Sequence, residues 1–513
     1  MSTVKRAVCE KCRKLVPAEH IARDGRVYIS KQCPDCGRTE ALVSSDAQTW
    51  RDKRELWRYD PAEARECLMN CRSCGRAHGP EIAFLNLTNH CNMNCPICMA
   101  NIPGMNFEFH PPLEYFERVL SGLASMDPPP RVYLFGGEPT LREDLFEIIA
   151  IAKGKGLRVL IVTNGLKLAD EEFCKKLCNT RVLVQFSFDG RDPEIYTRLR
   201  RNRPAYFQKL AALDNLKKYS RRKSTIVSCV ARGINDKHMR DLVEFCHENR
   251  DHISELDMIP LAETWEEGEF ETDVTTTIED VEQIVAASFP GEPVEFLPAG
   301  LGHHLVQAGA FFRNFRVHLG GVHPNCESAT FFLSDGERYR PIGHYLKRPL
   351  HEIANELIRR ANEIGGKLAR LNPDRFLQRW RGRVLVVRTF APVVLRSLDF
   401  RRIAKGRPAL AAVRILGGLS VGKGLKEQVR KHLTLTNVLP IIVLPFEEYH
   451  SIDSERLQSC KAGFAFEDPD SGQIKVIPVC SYALFRDDVE RRIMAKYSAR
   501  MDADAAAAER PAA

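Results

Sequence analysis

No stretch of about 18 apolar residues occurs anywhere in the 513-residue chain, so no segment is long and apolar enough to cross a bilayer as a helix. The first ten residues carry charges where a secretion signal needs an apolar core, which points to a cytoplasmic protein. No internal repeat is evident, so the length is not the product of stacked units. A strong excess of one charge is missing too: 75 Lys and Arg against 67 Asp and Glu leave a formal +8. Apolar residues at 44% and charged residues at 28% describe a folded chain rather than a disordered one, and only residues 501–513 read as a disordered tail. At this length a large catalytic unit with smaller appendages is expected.

Cysteine is what the chain has in plenty. Seventeen cysteines are many for a cytoplasmic protein, where disulfides seldom persist, so clustered pairs and triplets suggest metal thiolates before cross-links. Two Cys-x2-Cys pairs, Cys9/Cys12 and Cys33/Cys36, flank a strand-like stretch at 26–29. Four thiolates so spaced suit the tetrahedral preference of zinc or a single iron, and spacing does not separate the two metals. Gly37 after the second pair lets backbone amides turn toward sulfur. A second cluster, Cys67-x3-Cys71-x2-Cys74, leaves one ligand of a 4Fe-4S cube unassigned, with a second zinc site as the alternative.

From residue 81 the pattern changes to short apolar strands alternating with amphipathic helices. Strands are expected at 82–87, 132–135, 158–162, 182–188, 225–231 and 255–259, with helices at 113–125, 143–155 and 205–219 between them. Repeated βα units imply parallel strands joined by right-handed crossovers, and six units favour an incomplete barrel over a closed one. Beyond 290 a helix at 351–371 and a basic, apolar stretch at 383–444 are expected. The latter is either a membrane-docking surface or an ordinary helical core with a charged outer face. Basic clusters at 198–203, 217–223, 379–383 and 401–407 read as solvated surface or as attraction to phosphate-bearing partners.

Directly after the first barrel strand stands Leu87-Thr88-Asn89-His90-Cys91-Asn92-Met93-Asn94-Cys95-Pro96-Ile97-Cys98. Three thiolates hold three irons of a 4Fe-4S cube and leave the fourth iron open for chemistry. This Cys-x3-Cys-x2-Cys after a strand resembles the radical S-adenosylmethionine (SAM) superfamily over residues 81–261. Gly136-Gly137-Glu138-Pro139 looks like that family's GGEP element, whose backbone binds the SAM amino group. Asn164, Ser187 and Asp189 match strand-end positions that face SAM or substrate in similar enzymes, although turn formation explains each of them equally well. Ile97 replaces the family's common aromatic residue and is expected to shield the adenine. The resemblance implies that Cys91, Cys95 and Cys98 support formation of a 5′-deoxyadenosyl radical able to take hydrogen from an unactivated C–H bond.

The knuckle, the Cys67 triplet and this core together resemble the tetraether lipid synthase group, whose similar sequences carry the older label pterin methyltransferase. Downstream, His323-Pro324-Asn325-Cys326, Asp453-Ser454-Glu455-Arg456 with Cys460, and Ile477-Pro478-Val479-Cys480 strengthen that likeness. It implies auxiliary 4Fe-4S clusters, one or two, drawing on Cys326, Cys460 and Cys480, and a rubredoxin-like mononuclear iron or zinc site at the N-terminus. It also implies a lipid substrate, C–C coupling of alkyl chain ends, and an electron donor such as ferredoxin or flavodoxin. Contact with the inner face of the membrane is compatible with it, and no nucleic acid is expected. The rival enzymatic reading is radical methylation or maturation of a pterin, peptide or RNA, and the non-enzymatic one is an Fe-S electron-transfer protein. Cys174, Cys178, Cys229 and Cys246 are expected to be packing thiols. The expected architecture is α/β: a four-cysteine metal module at 1–60, an auxiliary-cluster segment at 61–80, a partial (βα)6 barrel at 81–290, and an α+β auxiliary-cluster and substrate region at 291–500.

Overall fold

The computed structural model describes residues 5–57, 80–263, 270, 275–312, 322–446, 448 and 450–508, with 500–508 described through the backbone alone. Cys67, Cys71 and Cys74 lie outside the described residues.

The N-terminal module is a four-stranded antiparallel sheet of β1 (Arg6–Val8), β2 (Leu15–Arg23), β3 (Arg26–Cys33) and β4 (Gly37–Ser44) in that order. Cys9 and Cys12 lie in the turn between β1 and β2, Cys33 ends β3, and Cys36 lies in the turn before β4. Gly37 takes φ +80°, which lets the chain reverse tightly after Cys36.

The six expected barrel strands are present, each within about two residues of its expected bounds: β5 (Ile82–Asn86), β6 (Arg131–Phe135), β7 (Arg158–Thr163), β8 (Leu183–Ser187), β9 (Ser224–Val230) and β10 (Ile253–Pro260). Neighbours in this series pair in parallel throughout. The helices Leu113–Ala124, Leu145–Gly154 and Ala205–Tyr219 stand where periodicity placed them. They bury one stripe each, for example Tyr115, Phe116, Val119, Leu120 and Leu123 on the first. Ala83 and Leu85 of β5 are fully buried, whereas Phe84 and Asn86, on the opposite face, are half-buried.

Curvature of the sheet is visible in contacts that skip strands. Gln185 on β8 donates to the Asp257 carboxylate on β10 at 2.6 Å, across the strand that separates them. Tyr133 on β6 stands within electrostatic reach of Asp257 and Glu255, four strands away in sheet order. These groups face one another across the interior of an open barrel.

The C-terminal region adds β11 (Leu297–Pro298), β12 (Ser328–Ser334), β13 (Tyr339–Pro341), β14 (Asn437–Val443), β15 (Ala462–Glu467) and β16 (Ile474–Pro478). It mixes strands and helices, the α+β content expected of it, and its strands join the barrel's own sheet. β14 pairs in parallel with β10 at one edge, and β15 pairs in parallel with β5 at the other, so eight successive strands of one sheet run the same way. Both edges are then capped by antiparallel strands, β12 on β14 and β16 on β15. Sequence periodicity identifies strands but not the sheet they join, because edge pairing at this separation leaves no local pattern. Between β13 and β14 lies a helical insert that includes Leu350–Leu368, Phe376–Ser397, Pro408–Ser420 and Leu425–His432. The last helix, Arg486–Ala508, runs into the segment read as a disordered tail; its alanine-rich end has high helix propensity. Among the described residues no helix is long and apolar enough to cross a membrane.

Candidate functional site

The C-terminal ends of the parallel strands converge on the loop 87–109, which carries Cys91, Cys95 and Cys98. Asn89 fixes the loop from both sides: its side-chain oxygen accepts from Phe109 N at 2.9 Å and its amide donates to Phe107 O at 2.6 Å. Within the loop, Cys98 N donates to Cys95 O at 3.2 Å and Asn101 N to Cys98 O at 2.7 Å. Burial pushes the Cys91 thiol up to about 12, and the charges of Glu138, Cys98 and Cys95 add to the effect. Cys98 is raised by burial as well, against the opposing charge of Arg200. Cys91 and Cys98, both raised by burial, ionise there only with bound cationic charge, and with Cys95 beside them the donor set fits an iron–sulfur cluster. Ile97 is 7% exposed and belongs to the main core.

The turn after β6 lies directly against this loop. Gly137 N donates to Thr88 O at 2.7 Å, and Glu138 N to His90 O at 2.8 Å. A Cβ on Gly136, at φ +133°, would stand 2.4 Å from Thr88 O; one on Gly137 would stand 2.3 Å from His90 O. Glycine is required here for backbone-to-backbone contact with the cysteine loop. Glu138 is fully buried, and its carboxylate accepts from Thr140 N, Thr140 Oγ1, Thr163 Oγ1 and Asn164 N at 2.6–3.0 Å. It ties the ends of β6 and β7 together. Pro139 opens the short 3₁₀ turn Pro139–Leu141 that follows.

Asn164 faces the cysteine loop, donating to Asn92 Oδ1 at 2.7 Å and lying 4.0 Å from Cys91 Sγ. Ser187 and Asp189 end β8 with different duties. Asp189 is fully buried in a two-pronged ion pair with Arg200, 2.9 Å at each prong, and accepts from Cys229 N at 3.0 Å. Its carboxylate therefore braces the site from behind. Ser187 accepts from Lys209 Nζ at 2.8 Å, and the same ammonium donates to the carbonyls of Ser187 and Asn164.

Sequence reasoning missed Lys209 and Arg200. Lys209 is fully buried, and burial together with the charge of Arg200 lowers it to about 8. A signal was present: Ala205, Lys209, Ala212, Leu213 and Leu216 form the buried stripe of one helix, and a lysine on an apolar stripe needs a polar partner. Arg200 belongs to the basic cluster 198–203 that reads as surface, yet its side chain is only 14% exposed.

In the N-terminal module the ligand atoms of Cys9, Cys12, Cys33 and Cys36 all lie within 4.8 Å of one another. Zinc–thiolate bonds of about 2.3 Å in a tetrahedron separate the sulfurs by about 3.8 Å, so the set fits one metal ion. Cys36 is pushed up to about 12 by its hydrogen bond with Cys12 and by burial.

The sequence pattern of the radical SAM superfamily matches residues 85–246, the stretch that begins in β5 and takes in the cysteine loop, the glycine turn and Lys209. Residues 85–246 form a radical SAM domain. The chain is accordingly a radical SAM enzyme, and its site takes a 4Fe-4S cluster and SAM. The pattern of the HMPTM N-terminal zinc ribbon domain matches residues 3–45, consistent with a mononuclear metal in the module. The chain is 26% identical over 506 residues to the 7,8-dihydro-6-hydroxymethylpterin dimethyltransferase of Methanocaldococcus jannaschii, covering 95% of this chain and 94% of that protein. It is 40% identical over 111 residues to the Fe-coproporphyrin III synthase of Methanosarcina barkeri, covering 21% of this chain and 27% of that one. Among solved structures, AdoMet-bound anSMEcpe aligns with a TM-score of 0.34 at 20% identity, over 40% of this chain and 58% of its own.

Outside the radical SAM domain, Cys460 precedes β15 and Cys480 follows β16; because Gly463 pairs with Pro478, the two cysteines leave the hairpin side by side. Burial pushes Cys460 up to about 12, and the charge of Cys326 adds to this, so Cys326 reaches the same place from the turn before β12. Glu81 N donates to Lys461 O at 2.8 Å, which brings the entry to β5 beside Cys460. Cys174 and Cys246 are fully buried, and Cys229 is 8% exposed, within the main core.

Proposed function

We propose that this radical SAM enzyme takes hydrogen from the alkyl chains of a lipid and joins two chains by a C–C bond. The observation that carries the reading is the apolar, aromatic side of the barrel interior under the cysteine loop. Phe84 meets Tyr133, Phe135 and Phe464 at ring-centroid distances of 5.2–5.5 Å, and Phe464 stacks on Tyr482 at 4.5 Å. Such a wall suits a methylene chain, which offers nothing to hydrogen-bond. Across the interior, burial and the neighbouring Glu255 hold Asp257 well above the usual carboxylate range.

When bound, the cluster and SAM supply a radical able to abstract hydrogen from an unactivated C–H bond, which no side-chain acid or base achieves at neutral pH. The chain's own residues position these groups. Cys91, Cys95 and Cys98 hold the cluster; the Gly136–Gly137 turn and Asn164 shape the adjoining SAM site; Glu138 and Lys209 hold the strand ends that present them. In this reading Cys326, Cys460 and Cys480, with the Cys67 triplet, would hold auxiliary 4Fe-4S clusters, which would supply redox chemistry beside the substrate.

A second reading, methylation of a pterin, is favoured by the name of the Methanocaldococcus jannaschii relative and by a match spanning 95% of this chain. Anaerobic incubation with SAM, a reductant and either lipid extract or a reduced pterin separates the two. Coupling predicts chain-linked lipid and two equivalents of 5′-deoxyadenosine per new bond. A methylated pterin with an unchanged lipid pool overturns coupling. Alanine at Cys91, Cys95 and Cys98 must abolish SAM cleavage under either reading.

A further inference from the structure

The chain's positive charge is concentrated in one place. Residues 375–432 hold 15 Lys and Arg and two acidic residues, a net +13, while the other 455 residues sum to −5. The same stretch is unusually apolar on its outside. Among the described residues 13 large apolar side chains are exposed, and eight of them fall between 375 and 432. Soluble surfaces scatter such residues singly, so their concentration beside the basic residues marks a contact surface.

The helix Phe376–Ser397 shows how the surface is built. One face, Gly382, Val386, Val393 and Ser397, is buried. On the opposite face Leu377 is 67% exposed, Trp380 46% and Leu395 42%, with exposed Arg381 and Arg388 between them. Leu377 and Leu395 are 18 residues apart, five full turns, so the stripe points one way along the helix. The neighbouring helix Pro408–Ser420 packs against it through the cluster of Ala412, Ile415 and Val394, and turns Leu410 and Val413 outward beside Arg414. At the following turn Gly422 lies against Arg383, which brings exposed Val421 and Leu425, flanked by Lys423 and Lys426, to the same pair of helices.

We propose that this insert is a docking surface for an anionic phospholipid bilayer, which its arginines and lysines attract and its leucines, valines and tryptophan enter. Cationic side chains interleaved with aliphatic ones match a charged headgroup layer over acyl chains. A nucleic acid would use the charge but leave six aliphatic side chains with no base to stack upon. With no crossing helix among the described residues, the contact is peripheral. The inference rests on this surface alone, and a protein that docks without coupling lipids would refute only the proposed reaction.

The test is flotation of the full-length, cluster-loaded protein with phosphatidylcholine vesicles, with and without phosphatidylglycerol. The expected result is binding only where phosphatidylglycerol is present, weakened by salt, with quenching of Trp fluorescence by brominated acyl chains that the Trp380→Phe variant loses. Arg381→Glu with Arg388→Glu should lower the partition coefficient at least about 30-fold, taking about 1 kcal/mol per cation near the surface. Leu377→Ser with Leu395→Ser should keep low-salt attraction and lose acyl-chain quenching. Equal partition into neutral and anionic vesicles, or none into either, overturns the proposal, and this comparison needs no variant. So does release from vesicles by duplex RNA that binds more tightly than phosphatidylglycerol.

Discussion

Gly137 donates its backbone N–H to the Thr88 carbonyl at 2.7 Å, and this bond presses the turn after β6 onto the loop that carries the three cysteines. The contact leaves no room for a side chain, because a Cβ would stand 2.3 Å from the His90 carbonyl. Backbone has to move to admit Gly137→Ala, and what moves is the cysteine loop. The expected outcome is a folded protein, destabilised by about 1–3 kcal/mol, that reconstitutes with much less iron and sulfide at this site and cleaves SAM poorly. Iron content and 5′-deoxyadenosine yield equal to the parent's would refute it.

Glu138 makes a complementary prediction. Its carboxylate collects four donors from the ends of two strands, and Glu138→Ala leaves all four without an acceptor in a buried place. A loss of about 3 kcal/mol or more in stability is expected, from the penalty of unpaired buried donors. Glu138→Gln retains one acceptor oxygen and should fall between alanine and the parent. SAM affinity, measured by equilibrium dialysis, should drop in the same order.

The N-terminal module is fastened to the segment that leads to Cys460. Ala7 bridges to Asp453, Arg6 N donates to Ser454 Oγ at 3.0 Å, Lys31 Nζ donates to His450 O at 2.8 Å, and Lys5 and Arg54 both pair with Glu455. Its four thiols fold around a metal, so metal loss should loosen that segment as well. The variant Cys9→Ser with Cys36→Ser should lose one equivalent of zinc or iron by elemental analysis and speed hydrogen exchange in both 6–44 and 450–460. Unchanged exchange in 450–460 would show that the fastening is not metal-dependent.

The barrel and its mouth were legible because their determinants are local. Parallel strands buried on both faces read as short apolar runs such as Arg158–Thr163, and the cysteine and glycine motifs follow strand ends directly. Three things were hidden for reasons of distance. β14 and β15 join the barrel's edges from more than 180 residues away, a pairing decided by which edges remain open. Arg200 and Lys209 look like two more surface cations until the fold turns them toward Asp189 and Ser187. The Asp453-Ser454-Glu455-Arg456 motif acts through tertiary partners: Asp453 caps the short helix Ser454–Gln458, and Glu455 receives the cations of the N-terminal module and its following helix.

Glu490 offers a test on pH. It lies on the last helix, 1% exposed, and accepts from Asn86 Nδ2 at 2.7 Å and from Tyr482 Oη at 3.1 Å, beside the aromatic wall. Burial raises its carboxyl to about 7. The native state therefore holds an extra proton between about pH 4.5 and 7 that the unfolded chain has released, so this group's contribution to stability falls as pH rises through that window. Raising the carboxyl from about 4.5 to about 7 corresponds to about 3 kcal/mol, all of it present as a cost above the upper limit. Glu490→Gln removes the titration while keeping an acceptor for Asn86. The variant should be close to the parent near pH 4.5 and more stable than it near pH 8, with the gap in thermal midpoint opening between those values. A gap that stays constant from acid to alkaline pH would show that folding does not shift the Glu490 carboxyl.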